Sequence, residues 1–129
     1  MRKRQLFLAI LLMGTAVFLH GCVVAAVGAG AAGTVAYIRG DLEAVESRDI
    51  DTVYAATKNA LGELGLKVTQ DSKDALVAKI IARDAQDKKI TINLKTTAEN
   101  TTKLSIRVGV FGSETKSRLI YQKIHDNLK

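Results

Sequence analysis

Fourteen uncharged residues in a row, Leu6 to Leu19, follow Met1-Arg2-Lys3-Arg4 and lead within three residues to Cys22, the only cysteine in the chain. A bilayer-spanning helix needs about 20 apolar residues, so this run is short for a span. It suits the apolar stretch of an export signal, whose basic flank stays cytoplasmic while the run enters the translocation channel. These residues are thereby withdrawn from any globular core, and the rest of the 129-residue chain is left to build one domain of ordinary size.

Leu19-His20-Gly21-Cys22 resembles the bacterial lipobox, in which Leu, a variable residue and a small residue precede cysteine. The resemblance implies a diacylglyceryl group on the Cys22 thiol, cleavage between Gly21 and Cys22, and acylation of the new amino terminus. The residue types suit that chemistry. A thiol is the strongest nucleophile available for the transfer, and glycine gives a peptidase access to the bond. A lone cysteine also excludes an intramolecular disulfide in an exported chain. One acyl chain holds a protein to a membrane only marginally, whereas two or more hold it stably. Val23 after the cysteine, in place of Asp, resembles the outer-membrane sorting rule. The expected location is therefore the cell envelope, lipid-anchored to the outer membrane and facing the periplasm.

Residues 28–33 read Gly-Ala-Gly-Ala-Ala-Gly, literally the G-x-G-x-x-G of dinucleotide sites. That motif requires a strand before it and a full helix after it, inside a parallel βαβ unit. Here the preceding apolar residues abut Cys22, helical space ends by Gly40, and the following segments read as antiparallel hairpins. No cofactor is expected. Residues 22–38 are read instead as the lipid anchor and a Gly/Ala-rich membrane-proximal spacer. Self-association through its small residues and a short membrane insertion are the other readings.

Residues 39–129 are expected to form a single α+β domain, an antiparallel sheet with two helices packed on one face, in the order β-α-β-β-β-β-α. A first strand runs over about 36–47 with Gly40 as a bulge. Ile50, Val53, Tyr54, Thr57, Leu61 and Leu64 recur at helical spacing, with Asp49 or Asp51 to cap the start and Gly65 at the stop. Asp71 to Asp74 is expected to turn the chain, after which Leu76, Ala78, Ile80 and Ala82 share one strand face. Ile90, Ile92 and Leu94, then Leu104, Ile106, Val108 and Val110, alternate with polar residues or glycine in the two clearest strands. Ser113 is placed to cap a last helix over 114–128, with Ile120, Tyr121, Ile124 and Leu128 as its apolar stripe.

Four stretches, CVVAAVGAGAAGTVAYIRGDLEA, DTVYAATKNALGELGLKV, KKITINLK and RVGVFG, together resemble a family of small bacterial lipoproteins classed as a domain of unknown function. Tyr54 stands where Trp is expected in many relatives. The resemblance implies an envelope location and carries over no catalytic residue.

Chemistry-bearing constellations are sparse. Beyond the signal there is one histidine, His125, expected on a solvent-facing helix surface, so neither a zinc site nor a nucleophilic triad is expected. Asp71, Asp74, Asp84 and Asp87 are read as turn residues. The formal charge of +6 falls to about +3 without Arg2, Lys3 and Arg4, too little to argue for nucleic acid. Lys88, Lys89 and Arg107 are read as a solvated sheet face. In RVGVFG, Gly109 and Gly112 are expected to let the strand turn into the last helix while Phe111 closes the core; Phe111 as an exposed partner contact is the other reading. The expected function is a membrane-anchored, non-catalytic binding or structural module. Its partners are membrane lipid through acylated Cys22, and an envelope protein or its own copies. A periplasmic carrier of a small apolar ligand is the alternative.

Overall fold

Alternation along four strands builds the core. The computed structural model describes residues 35–129, together with Lys3 and Gln5, which are helical. Contacts divide the chain into Met1–Gly33 and Thr34–Lys129. The second unit comprises β1 (Val35–Ile38), β2 (Asp41–Glu46), α1 (Ile50–Glu63), β3 (Lys67–Lys73), β4 (Val77–Arg83), β5 (Lys89–Ala98), β6 (Thr101–Val108) and α2 (Glu114–Asp126). The strands form one antiparallel sheet in the order β1-β2-β6-β5-β4-β3, an α+β architecture.

Leu42, Ile106, Ile92 and Ile80 lie in one register row across β2, β6, β5 and β4, and Ala44, Leu104, Leu94 and Ala78 form the next. All eight are buried, in one cluster with Val53, Ala60 and Leu61 of α1 and Ile120 and Ile124 of α2. Each large aliphatic side chain removed from water in this way contributes about 1.5–3 kcal/mol.

The order of segments follows the sequence pattern, with local departures. The expected first strand is folded back on itself. Arg39 and Gly40 both have positive φ, 52° and 90°, between the paired Ile38 and Asp41. Two consecutive left-handed residues make the tight hairpin loop that matches strand twist, so Gly40 occupies a turn and not a bulge. The bulge lies in β3 instead, between Val68 and Gln70. Strand β3 then continues through Asp71–Lys73, which were expected to turn; the turn falls at Asp74 to Leu76, and Leu76 is exposed. Extended backbone suits Asp71 because its carboxylate accepts from Tyr54 Oη at 2.8 and 2.7 Å and pairs with Lys58 on α1.

Helix α1 starts where Asp49 accepts from the Thr52 amide at 2.9 Å. It ends in a Schellman motif: Gly65, at φ 68°, donates to Gly62 O, and Leu66 donates to Leu61 O. Ser113 precedes α2 as expected but makes no side-chain capping bond.

Candidate functional site

Strand β6 leaves the core at Val108, and Gly109 (φ 75°) swings the chain away from the sheet. The loop that follows meets the β1–β2 turn backbone to backbone. A Cβ on Gly40 would lie 2.7 Å from Phe111 O, and one on Gly112 (φ 82°) would lie 2.6 Å from both Gly40 Cα and Tyr37 Oη. Only glycine allows this approach. It turns the Phe111 carbonyl toward Gly40, and the aromatic ring faces solvent. Phe111 is 92% exposed and Val110 82%. The expectation that Phe111 closes the core is thereby overturned; the glycines do turn the chain toward α2, but the ring is presented outward. The expectation that Val110 continues the apolar face of the last strand is overturned with it: β6 ends at Val108, and the positive φ of Gly109 puts Val110 in the exposed loop.

Arg107 fixes this tip. Its Nε and Nη2 donate to the two Asp41 carboxylate oxygens at 2.8 and 3.0 Å, a bidentate pair. Nη1 donates to Val110 O and Nη2 to Arg39 O, each at 2.9 Å. The Asp41 hydrogen bonds hold the guanidinium pKa above its ordinary value. Arg107 is therefore a clamp between the two loops and not merely a solvated surface residue.

Beside the tip runs an open groove of about 620 Å³, lined by Arg83, Lys88, Lys89 and Arg107 with Asp87 and Thr91 among its other walls. It lies on the sheet side opposite the buried rows, since Arg83, Lys89, Thr91 and Arg107 alternate with buried Ala82, Ile90 and Val108. Register aligns like charges there. Lys67, Arg83 and Lys89 stand directly opposite one another on β3, β4 and β5, and Lys95 faces Lys103. Directly opposed like charges destabilise a sheet. Glu43 pairs with Lys103 at 2.9 Å and Asp41 with Arg107. Among the described residues, Lys67, Lys79, Lys89 and Lys95 have no carboxylate within ion-pair distance.

A second polar cluster lies at the other end of β2. Glu46, 6% exposed, accepts from Tyr121 Oη at 2.6 Å, and the same Oε1 lies 3.1 Å from His125 Nδ1. Burial and this hydrogen bond to Glu46 push the Tyr121 phenol well above its ordinary pKa. His125, expected to face solvent, is half-buried and joined to β2. The cluster ties α2 to the sheet. Of the expected turn carboxylates, Asp84 accepts from the Gln86 and Lys88 amides at 2.9 and 2.8 Å, and these backbone donors lower its pKa. Among the described residues no group of histidine, cysteine and carboxylate side chains is arranged to hold a metal ion.

The family model described as "Protein of unknown function (DUF3568)" matches residues 5–127, nearly the whole chain. The chain belongs to the DUF3568 family. No curated protein matches it. For this DUF3568 chain, Gly21, Cys22 and the 28–33 glycine segment lie outside the described residues. Among those described, no helix is long and apolar enough to cross a membrane.

Sequence reasoning missed Glu46, because its partners lie 75 and 79 residues further along. It also missed the cationic rows. The signal for those was present in the basic residues at outward positions of successive strands, but it needed the register to become a surface.

Proposed function

We propose that this DUF3568 chain is an envelope lipoprotein, anchored through acylated Cys22, whose Thr34–Lys129 domain is a non-catalytic binding module. In this reading α1 and α2 cover the buried face of the sheet, which leaves the cationic face for a partner. The observation that carries it is the fixed tip: Phe111 and Val110 are held in water by an Arg107 clamp and two glycines that tolerate no side chain. Exposed apolar groups on a braced backbone beside a charged groove are the ordinary form of a recognition surface.

The carrier reading rests on a recess of about 150 Å³ lined by Leu64, Leu66, Ile90, Leu119 and Ile120 beneath the Asp84–Lys116 pair. Small-molecule sites usually run from about 300 Å³ upward, so the binding module is the better supported of the two.

The anchor is tested by intact-mass spectrometry of the protein from its native host beside a Cys22→Ala variant. The expected mass begins at Cys22 and carries acyl chains, which the variant lacks. A mass retaining residues 1–21 without lipid would overturn the lipoprotein reading.

A further inference from the structure

Three features meet at one end of the sheet, and folding explains none of them. The first is apolar exposure. Phe111 and Val110 project from the loop after β6, and half-exposed Ile38 ends β1 beside the turn that this loop touches. The second is rigidity. Arg107 donates once to the loop, at Val110 O, and three times to the β1–β2 hairpin, and the Gly40–Gly112 approach joins the two backbones, so the apolar residues of the loop are presented in fixed positions. The third is charge. Of the ionic residues at outward positions on the strands, seven are cations and two are carboxylates, and both carboxylates are already paired. In the Lys67–Arg83–Lys89 row Arg83 has a carboxylate partner, Asp87 at 3.7 Å, while Lys67 and Lys89 have none among the described residues, so the like-charge opposition along the row is only partly relieved.

We propose that this end of the domain docks onto an anionic phospholipid surface. Val110 and Phe111 enter the interfacial zone, while Lys88 and Lys89, the two lysines of the groove with no carboxylate partner among the described residues, receive a phosphate-bearing headgroup; Arg83 and Arg107, paired with Asp87 and Asp41, shape the groove around them. An apolar tip beside a cationic groove matches the two layers of such a surface, acyl chains below and negative headgroups above. Cations alone would suit any polyanion, and an apolar tip alone would suit a protein pocket; their juxtaposition selects the bilayer. Twelve residues, 23–34, separate Cys22 from the first strand. Their fully extended reach is about 45 Å, long enough for a domain tethered at Cys22 to turn this end toward the same membrane. The docking does not use the lipid on Cys22, so the two proposals can fail separately.

The chain has no tryptophan, and the exposed Phe111 position accommodates one without repacking. The test therefore uses the full mature chain carrying Phe111→Trp, with vesicles of phosphatidylcholine alone or of phosphatidylcholine with phosphatidylglycerol. The expected result is a blue-shifted emission, quenched by brominated acyl chains, on the anionic vesicles only. Sedimentation with the neutral vesicles reports the Cys22 anchor independently of the tip. Adding Lys67→Glu, Lys88→Glu and Lys89→Glu, with circular dichroism to verify folding, is expected to weaken the anionic response by roughly a hundredfold. Emission that stays solvent-like on both vesicles, or shifts equally on both, overturns the proposal. So does a shift in concentrated solution without vesicles that reverses on dilution, which would assign the tip to a second copy of the chain.

Discussion

Replacing Tyr121 by Phe removes one atom from the contact that joins α2 to the end of β2. The ring is 9% exposed and packs in the core, and phenylalanine keeps that packing, so the loss is confined to the hydroxyl. That hydroxyl donates to Glu46 Oε1 at 2.6 Å, and Glu46 is itself buried, leaving His125 Nδ1 at 3.1 Å as the remaining partner of that oxygen. A hydrogen bond to a charged group contributes about 1.5–3 kcal/mol net. A loss in that range lowers the melting temperature of a domain this size by roughly 10 °C. The variant also changes the alkaline limb. The phenol of Tyr121 is raised above its ordinary value of 10.0, with burial as the larger cause and the bond to Glu46 next. The folded state therefore holds this proton to higher pH than the unfolded chain does. The stability it confers is complete below about pH 10 and falls above it by up to ~1.4 kcal/mol per pH unit. Tyr54 is raised as well, by its bond to Asp71, so the variant keeps a shallower limb from that group. Urea unfolding by circular dichroism at neutral pH and at several alkaline values measures both effects. A neutral-pH loss below about 0.5 kcal/mol, or an alkaline limb as steep as in the parent, would refute the reasoning.

Asp49→Ala removes the acceptor that caps α1 and should cost about 1 kcal/mol in thermal or urea unfolding. Leu104→Ala truncates a fully buried side chain on β6 between Ala44 and Leu94, and a loss of about 2–5 kcal/mol is expected in the same assay. Gly112→Ala puts a Cβ into the Gly40 backbone at φ 82°; the left-handed strain alone is about 1–2 kcal/mol. Its main consequence is expected to be local, read as faster amide exchange over residues 109–112 and 39–40 while the core strands keep their protection.

How far the sequence foretells this molecule depends on the range of each determinant. Strands β5 and β6 and the end of α1 are legible because everything that sets them lies within a few residues. Ile90, Ile92 and Leu94 alternate with polar neighbours, and Gly65 follows Leu64 where a left-handed residue is needed. The β1–β2 hairpin was not legible, since Arg39-Gly40 lacks the Asn-Gly or Asp-Gly signature of such turns and a non-glycine residue carries the first positive φ. The residues Asp71–Lys73 read as a turn on local propensity. They are extended because Asp71 is bonded to Tyr54 and Lys58, and Lys73 to Asp51, from a helix that precedes them. Tertiary pairing overrode the local preference there.

Phe111 shows why the candidate site was harder to foresee than the core. An aromatic residue between a strand and an amphipathic helix is most economically read as buried, because aromatic side chains carry so much apolar area. What reverses that reading is a contact of glycines 72 positions apart, Gly40 and Gly112, which admits backbone where a side chain was expected. The cationic rows obey the same logic. Lys67, Arg83 and Lys89 are unremarkable outward residues on three separate strands, and only antiparallel register makes them neighbours. A fold is specified largely by patterns that repeat locally. A binding surface on that fold is assembled from exceptions to those patterns, brought together by topology, and its residues carry little signal until the strands are laid side by side.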